Sequence, residues 1–186
     1  MSAPDHRVEA STSLELFPAV LDACCGTRSM WFDRTDGRAL FLDNRRVSLD
    51  VDVGTPGTVG RSPIVIEPDV VADFTALPFA DESFSLVVFD PPHVQRNEAL
   101  GAVTRRYGVL NGDWRLMLRD GFAECLRVLK PNGVLVFKWG ESQFKSAQIL
   151  ALAPMRPLFG HHTSKTTHWA VFMKDPQADE ERSNAG

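Results

Sequence analysis

No apolar run in this 186-residue chain approaches the roughly 18 to 20 residues that span a bilayer. That excludes a helical membrane span. The first thirteen residues are polar and lack the apolar stretch of a secretory leader, so a cytoplasmic address is the expectation. Cysteine is scarce: Cys24, Cys25 and Cys125 make an odd set with two adjacent members and no Cys-x-x-Cys spacing. Neither a disulfide scaffold nor a structural zinc site fits that set, and small packing residues in a reducing compartment do. The chain also lacks any large excess of charge. Its formal net charge is −4, much of it held by the tail residues Asp175, Asp179, Glu180 and Glu181 against Arg182. That argues against a coat of positive charge for tight duplex binding and leaves room for a local basic patch.

What is present suits one soluble domain with a sizeable core, since hydrophobic residues are 44% and charged residues 24%. The ends, 1–13 and 175–186, read as disordered, leaving a single domain over 14–174. Within it, short apolar runs recur at 19–21, 39–42, 70–72, 84–89 and 134–137. Their continuous rather than alternating apolarity suits strands covered on both faces, as in a parallel sheet. Helical spacing is clearest over 113–130, with Asp113 as N-cap, and over 141–152; Pro131-Asn132-Gly133 should end the first of these. The strand-like segments 156–159 and 169–174 are joined by too few residues for a helical crossover and should pair as an antiparallel hairpin. The expected architecture is α/β: a doubly wound, mostly parallel, Rossmann-like sheet ending in that hairpin. Segment 47–63, rich in Gly and Pro, reads as an irregular insertion or small hairpin over one edge.

Acidic residues mark the strand ends. Asp22, Asp43, Asp73 and Asp90 each close a strand-like run, and in open parallel sheets ligands bind beyond the carboxyl ends of the strands. Short polar residues also end ordinary strands, but four in register make a ligand crevice the stronger reading. After Asp22 come Ala23, Cys24, Cys25, Gly26 and Thr27, where Gly26 lets backbone approach a ligand. Asp43 follows Asp22 by 21 residues, about the separation at which an acid takes ribose hydroxyls in nucleotide-binding folds. Asp73 with Phe74 offers an acceptor for an exocyclic amine beside an aromatic face. Asp90-Pro91-Pro92-His93 closes the most hydrophobic strand with a rigid set of acceptors, because proline lacks an N–H and fixes φ.

In that order the residues resemble the class I S-adenosylmethionine-dependent methyltransferases, over about 16–174. Asp22 to Thr27 look like the first motif of that family, with Cys24 and Arg28 where glycines are usual. The resemblance implies Asp43 as the ribose acid and Asp73 as the adenine-contacting acid. Asp90-Pro91-Pro92-His93 resembles the Asp-Pro-Pro-Tyr motif of amino-methyltransferases, with His93 in place of the aromatic. Together with Trp31-Phe32-Asp33, Tyr107-Gly108-Val109-Leu110 and Phe137-Lys138-Trp139, the pattern is similar to small methyltransferases of bacteriophages and mobile elements. It implies S-adenosylmethionine as donor, no metal, and an exocyclic amine as acceptor, adenine N6 or cytosine N4 in DNA or RNA. Asp90 and the Pro91 carbonyl would take the two N–H bonds of that amine, with His93 stacking on the base or carrying a proton. Arg96, Arg105, Arg106 and Tyr107 would track phosphates and stack on bases, with Lys138 and Trp139 near the same crevice. A protein partner could supply target recognition, since little chain is left for it. Two other readings stand beside this one: methylation of a small molecule or protein amide, and a donor-binding module without transfer activity.

Overall fold

The computed structural model describes residues 18–52, 61–95, 101–161 and 166–175. The expectations about the chain ends, apart from Asp175, lie outside these residues, as does Arg96. The described elements are β1 (Val20–Asp22), β2 (Ala39–Asp43), β3 (Val47–Asp52), β4 (Arg61–Ile66), β5 (Val70–Val71), β6 (Phe84–Phe89), α1 (Gly101–Tyr107), α2 (Trp114–Arg127), β7 (Leu129–Gly140), α3 (Ser146–Leu150), β8 (Phe159–Gly160) and β9 (Thr167–Met173). A seven-stranded sheet runs β5-β2-β1-β6-β7-β9-β8. The pairings among β5, β2, β1, β6 and β7 are parallel, and β9 pairs antiparallel with both β7 and β8. The chain therefore starts in the middle of the sheet, winds outward to β5, and crosses back to build the other half. The strand order reverses between β1 and β6, which is the switch point where such sheets bind ligands.

Pairing aligns side chains across the sheet, because paired residues point to the same face. Leu21, Val87, Leu135 and Phe172 form one such row, each fully buried. Helix α2 packs on that face. Trp114, Leu118, Phe122 and Cys125 fall on its buried stripe, and the Asp113 carboxylate caps it by accepting from the Arg115 amide. Its last turn ties down the loop after β5: Arg127 binds Glu124, Asp81 and the carbonyls of Leu77 and Phe79. The row on the opposite face, Val20, Leu86 and Val134, is only partly buried.

The connection from β1 to β2 contains no helix. Residues 23–38 form successive turns held by side chains: Arg28 lies 3.8 Å over the Phe41 ring and donates to the carbonyls of Arg34 and Glu67. Segment 47–63 contributes β3 and enters β4, an antiparallel hairpin whose Val47, Ile64 and Ile66 cluster together. The expected helix over 141–152 shrinks to the five residues of α3. Phe144 is drawn away from it, stacking on Trp114 at 4.2 Å and accepting from the Trp139 indole. The turn Pro131-Asn132-Gly133 is accommodated inside β7 as a register shift against β6, with Asn132 at φ +59°. Among the described residues, no helix is long and apolar enough to cross a membrane.

Gly121 sets how closely α2 approaches the sheet. A Cβ there would come within 2.7 Å of Phe74 Cδ2 and of Phe89 Cζ. Alanine gains about 1 kcal/mol in helix propensity, whereas overpacking against two rings costs roughly 1 to 3 kcal/mol. Gly121→Ala is thus expected to destabilise by about 1 kcal/mol and Gly121→Val by more, measured as the shift in denaturant midpoint. A stabilised Gly121→Ala would mean the rings yield freely.

Candidate active site

The sheet register places the four acids. Asp22 lies level with Phe41 and Val88, so Asp43 and Asp90 stand two residues further along the flanking strands. Asp73 follows β5, whose Val71 pairs with Asp43. All four therefore share the carboxyl edge of the sheet. A cavity of about 410 Å³ opens there. Its walls come from the loop after β1, the end of β2, the hairpin strand β3, the turn after β6, and α1.

Of the cofactor candidates, Ala23, Cys24, Gly26, Thr27, Asp43 and Phe74 line this cavity. Gly26 adopts φ +48°, and a Cβ there would meet nothing within 4 Å, so the loop leaves open space for a ligand. Its amide donates to Asp43 Oδ2 at 3.0 Å. Asp22 lies beneath the lining, 1% exposed, with Oδ1 accepting from the Cys24 amide and Oδ2 from the Trp31 indole at 2.7 Å. Asp73 is not part of the lining: its Oδ1 accepts from the Thr75 amide and hydroxyl in a local turn. Phe74 carries that turn's contact with the cavity.

Burial pushes the Asp22 carboxyl up to about 7, with the nearby Asp90 and Asp43 adding to the rise and the bonds from Trp31 and Cys24 opposing it. Burial also raises the Cys24 thiol well above its ordinary range and the Cys25 thiol to about 12, so neither is a thiolate at neutral pH. For Asp22 the folded value lies above the unfolded one. Its contribution to stability is complete below pH about 4 and lost as pH rises through about 7, with a ceiling of about 4 kcal/mol. Asp22→Asn is expected to flatten that slope. Denaturant melts at pH 5 and pH 8 check this, and equal slopes in both proteins refute it.

Asp90, Pro91, Pro92 and His93 all line the cavity. Lys138, adjacent on β7, donates to Asp90 Oδ2. The other oxygen, Oδ1, is buried without a hydrogen-bond partner: His93 Nε2 stands 3.2 Å away, close enough for an ion pair but not aligned to bond. The His93 ring is boxed in by Trp139, at 5.0 Å and 73°, and by Gly140, where a Cβ would meet His93 Cδ2 at 3.0 Å. Its Nδ1 is likewise buried and unpartnered.

Arg105, Arg106 and Tyr107 on α1 also line the cavity, with Tyr107 half exposed. Lys138 and Trp139 do not. Of the two sequence readings of Trp139, substrate contact or a packing cap, the structure fits the packing cap: the indole is fully buried, bonded to the Phe144 carbonyl and packed on Phe137. Lys138 is spent on Asp90. Lining residues that the sequence reading missed include Arg45, Val47 and Leu49; only the polar-apolar alternation of 47–49 hinted at a wall.

The strand order, the switch-point cavity and the terminal antiparallel strands define a class I methyltransferase fold. One solved structure shares the fold. The chain is similar to protein PH0226 of Pyrococcus horikoshii, with 16% identity over 84% of this chain and 81% of that one and a TM-score of 0.52. It also aligns with a TehB-like SAM-dependent methyltransferase of Corynebacterium glutamicum (15% identity, 84% and 79% covered, TM-score 0.47). A third match is 1,6-didemethyltoxoflavin-N1-methyltransferase of Burkholderia thailandensis (12% identity, 84% and 70% covered, TM-score 0.48). The first of these likenesses concerns the fold alone. No protein-family model matches the chain, and no curated protein matches it significantly.

Proposed function

We propose that the protein is an S-adenosylmethionine-dependent methyltransferase acting on the exocyclic amine of a flat heterocycle, a nucleobase in DNA or RNA. The observation that carries this reading is Asp90 Oδ1, a buried acceptor without a partner at the switch-point cavity, on a turn stiffened by two prolines. The donor's sulfonium supplies an electrophilic methyl group. The chain's part is to hold the loop at Ala23, Cys24, Gly26 and Thr27 open beneath it, with Asp43 beside it. Lys138 holds Asp90 Oδ2 and leaves Oδ1 for an amine N–H. An amine so held points its lone pair in one direction, and orientation of this kind supplies much of the rate in a substitution. As the N–C bond forms and the S–C bond breaks, the nitrogen gives up a proton. His93, 3.2 Å from Oδ1, is the nearest imidazole to receive it.

Tyr107, Arg105 and Arg106 at the mouth suit a base and its phosphates. A partner protein presenting the target remains part of this reading. The second reading is a free small heterocyclic amine, favoured by the net charge of −4 and by Leu49 in the cavity wall. The test is incubation with labelled donor and, separately, total DNA, ribosomal RNA, transfer RNA and a pool of free nucleosides and bases. Label in N6-methyladenine or N4-methylcytosine of a polymer supports the first reading, and label confined to the free pool supports the second. Failure to bind the donor sinks both.

A further inference from the structure

Asp43 has no acceptor capacity left. An ionised carboxylate offers about four lone-pair positions. Oδ1 accepts from the Arg45 amide at 2.9 Å and Arg45 Nε at 3.0 Å, while Oδ2 accepts from the Gly26 amide at 3.0 Å and Arg45 Nη2 at 3.2 Å. Asp43 as a whole is 5% exposed, so little of it is open to a further donor. A ribose diol can bond to Asp43 only by displacing the Arg45 side chain, since the two amides are fixed by the backbone.

Where that guanidinium would go is constrained. Its Nη1 already reaches the Arg105 carbonyl at 3.3 Å, and a Cβ on Gly108 would stand 3.4 Å from its Cζ. The same Gly108 position approaches Pro92 Cγ at 3.2 Å, beside the amine-binding turn. Arg45 thus lies between the donor's acid and the acceptor's end of the cavity, next to the Arg105 and Arg106 segment. Deprived of Asp43, a cation there needs another anion.

We propose that Arg45 serves two subsites: it occupies the ribose acid in the free protein, and once donor is bound it recognises a phosphate on the acceptor. This rests on the donor reading above and narrows its substrate class to phosphate-bearing molecules. Donor and acceptor then bind with positive coupling, because the first frees the residue that the second requires. A partly exposed ion pair is a modest opponent, worth a few-fold in affinity.

The test uses the full chain and S-adenosylhomocysteine, which has the same ribose. Arg45→Ala is expected to bind it roughly threefold to tenfold more tightly than wild type. Sodium chloride, which weakens the competing pair, should tighten binding to wild type and not to the variant. With S-adenosylhomocysteine saturating, 2′-deoxyadenosine 5′-monophosphate and a short single strand should gain affinity for wild type but not for Arg45→Ala, while phosphate-free 2′-deoxyadenosine should gain none. A gain for the strand alone places the phosphate in a polymer; a gain for both places it on the reacting nucleotide. Weaker or unchanged S-adenosylhomocysteine binding by Arg45→Ala overturns the proposal, as does absence of any phosphate-dependent gain. Should Arg45→Ala not fold, the salt response of wild type still decides. A wild type that binds no S-adenosylhomocysteine refutes the donor reading itself.

Discussion

In Asp90→Ala, methyl transfer is expected to fall by about 10² to 10³, with S-adenosylhomocysteine affinity within a few-fold of wild type. The split follows from position. Asp90 follows β6 and Asp43 ends β2, so the two reach the cavity from different strands, and Asp90 Oδ1 is buried there without a hydrogen-bond partner. Removing an oriented charged acceptor costs a reaction far more than it costs binding when the group acts on the transferring atom's partner. The loss should therefore appear in kcat. Asp90→Ala also strands Lys138, so folding must be checked by thermal melt. Asp90→Asn preserves volume and one acceptor, and should recover part of the rate. A near-normal rate in Asp90→Ala would falsify the assignment of the amine to this turn.

Lys138 acts on the same carboxylate. It holds Oδ2 and does not line the cavity, a placement that suits orienting the carboxylate. Loss of Lys138 should slow transfer less than loss of Asp90 does, and the two losses should not add, as expected of residues acting through one another.

The parallel half of the sheet was legible because its strands are continuously apolar and end in Asp22, Asp43 and Asp90. Both signals are local, and neither depends on distant packing. The N-cap of α2 was legible for the same reason: Asp113 satisfies the Arg115 amide within its own turn. What could not be read depends on tertiary partners. Nothing near Lys138 in sequence reveals that β7 lies beside β6 with Phe137 level with Phe89, which brings the lysine onto Asp90. Trp139 looked available for substrate because its partner, the Phe144 carbonyl, sits in a segment that helical spacing had claimed. For segment 47–63 a small hairpin was one of two legible readings, and β3 does pair antiparallel with β4, but its place in the fold was not legible. Its role as a cavity wall is visible only once Val47 and Leu49 face the β1 loop. Asp73 closes a strand as expected, yet its carboxylate is held by Thr75, a turn that the sequence Asp73-Phe74-Thr75 permits but does not demand.

Asp43 and Arg45 form one ion pair whose two halves should act with opposite sign. Asp43→Ala frees the Gly26 amide and leaves the Arg45 guanidinium without its counterion, and on the donor reading proposed above it also removes the acceptor for a ribose diol. Hydrogen bonds to a charged group are worth about 1.5 to 3 kcal/mol each, so losing the acid should weaken S-adenosylhomocysteine binding by about 10². The fold should also suffer by roughly 1 to 3 kcal/mol, because a part-buried cation is left unpaired. Were the pair simply a structural clamp on the loop, Asp43→Ala and Arg45→Ala would both weaken binding, since each breaks the same contact. Were it a contest for the carboxylate, only the loss of Asp43 would weaken binding, while the loss of Arg45 would strengthen it. Isothermal titration of the two variants against wild type separates these cases, and like signs would leave Arg45 as a clamp.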